Sequence, residues 1–133
     1  MINQRCTLLA IEFVILLAIA PSMARAQPAD IPSGAQESIF EQKIAPILAR
    51  HCLECHTSTI GEGGLDLSQK AAAMKGGESG PAIVTNNWQE SLLWEHVSSD
   101  SMPKDRPPLS DDEKSLLRDW LAAGAPWTID AID

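Results

Sequence analysis

Five residues, Cys52-Leu53-Glu54-Cys55-His56, constrain this chain more than any other feature. Two intervening residues place both sulfurs on one side of a single turn. The residue that follows directs an imidazole from the same side. C-x-x-C-H in this form is the attachment signature of a c-type haem, in which the sulfurs bond two vinyl groups of one porphyrin and the histidine meets its iron. Cys52 and Cys55 are therefore expected to hold one covalent haem c, with His56 as the proximal iron ligand. Two other chemistries use similar pairs. A thioredoxin-like C-x-x-C needs a strand-rich βαβ setting, and no such pattern surrounds this one. A structural zinc site wants four ligands. Beyond the motif only His51 and His96 remain, and His51 abuts Cys52.

The start of the chain suggests where this chemistry takes place. Residues 1–26 read as a secretory signal peptide. Arg5 supplies the positive end, Leu8 to Ala20 the apolar run, and Ala24-Arg25-Ala26 a small-x-small cleavage site before Gln27. Glu12 interrupts the apolar run, which is also short for an uncleaved anchor of about 20 residues. No cysteine follows the site to take a lipid. The expectation is an exported, periplasmic protein with no membrane span after cleavage. Cys6 leaves with the signal, so Cys52 and Cys55 remain as a pair. Export ordinarily favours a disulfide, but the adjacent histidine points to the haem instead.

The full chain carries a net charge of −8, and loss of Arg5, Arg25 and Glu12 leaves −9. Nucleic-acid binding rests on Lys and Arg neutralising phosphates, so this balance argues against it. It suits a basic protein partner steered by charge. The core of so small a domain is marginal, and with Phe scarce and Tyr absent it is short of large apolar groups. A bulky apolar cofactor would relieve the shortage.

Residues 27–37 are a Pro, Gly and polar lead-in. A helix is expected from near Ser38, with Phe40, Ile44, Ile47 and Leu48 on one face and a kink or division at Pro46. Ser68 can cap a short helix from Gln69 to Lys75. Asn87 and Glu90 resemble a capping arrangement for a helix from Trp88 to about Val97. Ser110-x-x-Glu113 is a capping box for a last helix running to about Ala123, with Leu116, Leu117, Trp120 and Leu121 on one face. The acidic run Asp111-Asp112-Glu113 suits that helix start. The first and last helices should pack together, each having one apolar face to cover. The loops at 57–67, 76–87 and 98–109 are long and poor in apolar residues, which makes sense if they wrap something. The fold class is all-α: short helices and long loops around one cofactor.

Two residues compete for the second axial position. Met102, on the loop before the last helix, is a soft neutral donor that favours ferrous iron, although a Met also fills core gaps readily. His96 lies on the third expected helix and should point away from the iron if Met102 binds it. Met74 and Met23 are weaker candidates. His51 should lie near the haem edge, and Trp94, Trp120 and Trp127 should pack in the core or on the haem.

These residues and their surroundings resemble the planctomycete-type cytochrome c domain, a class I-like c-type cytochrome. The resemblance rests on Phe40 with Ile44 to Leu48, His51 to His56, Gly63 to Ser68, Gly76 to Val84, Glu90 to Leu93, Met102-Pro103, and Pro108 through Trp120 to Trp127. It places a cytochrome c domain at 38–127 and leaves 128–133 as a C-terminal tail. It implies the cytochrome c fold, one covalent haem on Cys52 and Cys55, and His/Met ligation by His56 and Met102. In that family Gly usually follows the haem-binding histidine, whereas Thr57 stands here. The family's domain often begins a much longer chain, whereas only 128–133 follow Trp127, as in a stand-alone carrier or a shortened gene product.

The function expected is one-electron transfer between redox protein partners, with no catalytic residue. The alternative is a haem-based sensor or peroxidase-type module with a displaceable sixth ligand. A peroxidase would also need a distal acid–base group, for which only His96 is available.

Overall fold

A computed structural model describes residues 39–133. The signal peptide at 1–26 and the lead-in at 27–37 lie outside the described residues. Among those described there is no strand, and four α-helices carry the fold: α1 (Ala45–His51), α2 (Lys70–Lys75), α3 (Leu92–Ser98) and α4 (Asp111–Ala122). The described residues are all-α, as expected. No helix among the described residues is long and apolar enough to cross a membrane.

The first helical stretch is divided, as Pro46 requires. Phe40–Ile44 form a π-helical turn in which the Ala45 N–H donates to Phe40 O, and α1 follows with Pro46 in its first turn. Pro46 has no N–H, and in an α-helical turn its ring would crowd the carbonyl four residues back. The wider turn upstream accommodates it. Phe40 and Ile44 stay fully buried. The Phe40 ring packs 4.7 Å from Trp127 and 5.9 Å from Trp120, centroid to centroid. This aromatic cluster joins the first helical stretch to α4, the pairing that their two apolar faces predict.

Helix α4 starts on the expected capping box. Ser110 Oγ accepts from Glu113 N at 3.3 Å, and Glu113 Oε2 accepts from Ser110 N at 3.0 Å. Ser110→Ala should therefore destabilise the protein by about 1 kcal/mol, the usual cost of losing such a cap, measured as a shift in the denaturation midpoint. Leu117, Trp120 and Leu121 are buried, but Leu116 is exposed, so the buried face is narrower than the sequence suggests. At its C-terminus Gly124 and Ala125 both take positive φ, and Ala125 N donates to Trp120 O.

Two expected caps do not form. The Ser68 hydroxyl donates to Asp66 Oδ1 at 2.6 Å, and α2 starts after Gln69 without a side-chain cap. Trp88–Glu90 make only a 3₁₀ turn, and α3 begins after Ser91, which is extended. Ser91 is pulled out of the helix by tertiary bonds. Its buried hydroxyl accepts from Val84 N at 2.9 Å, while Leu92 N and Leu93 N donate to Pro81 O and Ala82 O.

The loops meet one another, although they are poor in apolar side chains. Glu78 N donates to Gly63 O at 2.8 Å, and Gly77 N to Gly80 O at 3.1 Å. Glycine makes this approach possible: a Cβ on Gly77 would lie 2.6 Å from Gly63 O, and one on Gly76 2.4 Å from Gly80 O. The last residues run along the start of α2. Lys70 N donates to Asp130 O and Ile132 N to Ser68 O.

Candidate functional site

The Cys52–His56 turn continues directly from α1. Cys52 N donates to Leu48 O at 2.8 Å and His56 N to Cys52 O at 2.9 Å, so the motif closes into one turn. Both cysteines are half-buried free thiols. Burial pushes the Cys52 thiol up to about 12, against the smaller opposing effect of Arg106 nearby. Cys52 is thus a protonated, weakly reactive thiol at neutral pH. His56 Nδ1 lies 3.1 Å from Glu62 O. A carbonyl only accepts, so Nδ1 carries the proton and Nε2 keeps its lone pair for a metal.

Beside this turn is a cavity of about 310 Å³, within the range of cofactor sites. Cys52, Cys55 and His56 line it, as do Met102 and His51. Its apolar wall comes from the loops and α3: Leu65, Leu67, Ala82, Leu92, Leu93, Val97 and Leu109. The residues singled out by sequence are thereby brought together from positions 50 residues apart in the chain. Met74 and Trp94 pack against the core instead. His96 lines the same cavity, with its Nδ1 hydrogen-bonded to Ser101 Oγ at 2.9 Å. Met102 is held beside it, because Ser101 N and Met102 N both donate to His96 O.

Two members of the site are not visible as such in the sequence. Glu113 accepts from Arg50 Nη1 and His51 Nε2, both at 3.1 Å, besides its capping bonds. Arg106 lines the cavity and pairs with Glu54. Both depend on contacts more than 50 residues apart in sequence, for which no local pattern exists. The backbone N–H of Ser110, ahead of its hydroxyl and His51, holds the Glu113 carboxyl below the usual carboxylate range against a smaller desolvation effect. A carboxyl lowered by folding stabilises the folded state above its unfolded pKa. That contribution is lost as pH falls through the lower folded value. Stability should therefore drop below about pH 4.3, and Glu113→Gln should flatten that part of the melting-temperature profile.

The site suits a covalently held haem. Two unpaired thiols and an imidazole with Nδ1 already committed share one turn, against an apolar wall. Zinc fits less well, since among the described residues no three His, Cys, Asp or Glu side chains converge on one point. Residues 52–106 match the family model for planctomycete cytochrome C, a shorter stretch than the resemblance at 38–127. No curated protein and no solved structure matches the chain. The matched stretch opens on Cys52 and includes Met102. The match over residues 52–106 bears out the resemblance to the planctomycete-type cytochrome c domain, a family of c-type cytochromes that implies haem c and electron carriage.

Proposed function

We propose that this protein is an exported, mono-haem c-type cytochrome that transfers one electron at a time between redox protein partners. One observation carries the reading: Cys52, Cys55, His56 and Met102 line a single apolar cavity. Cys52 and Cys55 would hold the haem through thioether bonds, with His56 as proximal and Met102 as distal iron ligand. When bound, the haem supplies a one-electron ferric–ferrous couple.

The chain's own residues have three tasks. His56 keeps Nε2 free of a proton because its Nδ1–H is given to Glu62 O. That bond also fixes the ring orientation and raises the basicity of the ligand nitrogen. Met102 offers a neutral sulfur, which favours the lower charge of ferrous iron and raises the potential. The apolar side chains of the wall keep water away, which acts in the same direction. No side chain is assigned to bind a substrate or move a proton. Cleavage after Ala26, a domain at 38–127 and periplasmic location complete the proposal. The net charge of −9 after cleavage favours basic partners.

Absorption spectra of the exported protein, oxidised and reduced, test this reading. A low-spin spectrum with a Met–iron charge-transfer band in the far red is expected. A high-spin ferric spectrum would favour the sensor or peroxidase-type alternative.

A further inference from the structure

We propose that Arg106, through its ion pair with Glu54, is a positioning residue that holds the Met102 loop against the cysteine turn. This rests on Met102 being the distal ligand. The loop runs from Ser99 to Leu109 between α3 and α4. Its beginning is fixed: Ser101 N and Met102 N donate to His96 O, and Lys114 Nζ donates to Asp100 Oδ1 at 2.5 Å. Its end is fixed by buried Leu109 and by the cap at Ser110. Between these points the loop has one polar attachment. Among the described residues, the only hydrogen bonds joining 103–109 to the rest of the chain come from Arg106.

Those bonds reach the one segment that matters for ligation. Arg106 Nη1 donates to Glu54 Oε2, and Nη2 approaches Arg50 O at 3.4 Å. Glu54 lies between Cys52 and Cys55, and Arg50 is two residues before Cys52. The pair therefore ties the distal-ligand loop to the turn that carries the proximal ligand. Pro103, Pro107 and Pro108 stiffen the loop around it. Fixing one point of a stiff loop restricts the rest, including the sulfur four residues upstream. The Arg106 and Glu54 side chains are 37% and 69% exposed, so the pair is partly screened and its effect is a bias rather than a lock.

The test uses the ferric holoprotein and imidazole as a competing ligand, followed by loss of the far-red Met–iron band. Imidazole binds by displacing Met102, so a looser loop binds it more tightly. Glu54→Gln and Arg106→Gln should each tighten imidazole binding about two- to five-fold, the range expected of such a pair. The exchanged double variant, Glu54→Arg with Arg106→Glu, should return to within about two-fold of wild type, because the attraction is restored. A fold defect alone would not be rescued by exchange. Single variants that bind imidazole as the wild type does, or an exchanged variant as loose as the singles, would overturn the strap while leaving His/Met ligation intact. Absence of the far-red band from the wild type would bring down both.

Discussion

Replacing Cys52 and Cys55 by Ala should give a chain without covalent haem and without a cooperative thermal transition. The reason lies in how the cavity is walled. Leu67, Ala82, Leu93, Val97 and Leu109 are core residues and also line the cavity. A chain that cannot keep the haem must leave about 310 Å³ empty, collapse it or flood it. At about 24 cal/mol per Å³, an empty cavity of that size costs on the order of 7 kcal/mol. That is comparable to the lower part of the 5–15 kcal/mol range in which native proteins are stable. Collapse is opposed by the loop backbones, which are stitched through Gly63, Gly77 and Gly80. Binding energy then acts as folding energy. Thermal melts followed by circular dichroism check this. A haem-free chain that melts as sharply as the holoprotein would contradict it.

Met102→His should lower the midpoint potential by roughly 0.1 V or more, within the span of about 0.8 V that axial ligands cover. Imidazole is the stronger donor and favours ferric iron, so the sign is fixed. The same change at Met74 should move the potential little, because Met74 packs against the core and not along the cavity. Redox titration of the two variants separates them. If Met102→Ala leaves both spectrum and potential unchanged, His96 becomes the favoured distal ligand, since it lines the same cavity.

Legibility in the sequence follows the range of the interaction. The Cys52–His56 turn and the Ser110–Glu113 box are complete within six residues, and both are as the sequence predicts. Pro46 announces its own break in the first helix. The failures come where a distant segment competes for a local donor or acceptor. Asn87 does not cap a helix because Leu92 N and Leu93 N are taken by Pro81 O and Ala82 O. Ser68 does not cap α2 because Asp66 takes its hydroxyl. The pairing of Arg106 with Glu54, and of His51 with Glu113, joins segments that no spacing rule connects. Candidate ligands could therefore be named from the sequence, while the residues that position them needed the fold.

Covalent haem on Cys52 and Cys55 is the central claim, and intact mass tests it most directly. The exported protein is extracted with acid–acetone, which removes haem held only by ligation, and weighed under denaturing conditions. The expected mass is that of the bare polypeptide from Gln27 plus one haem. A mass equal to the bare polypeptide from Gln27 would contradict it.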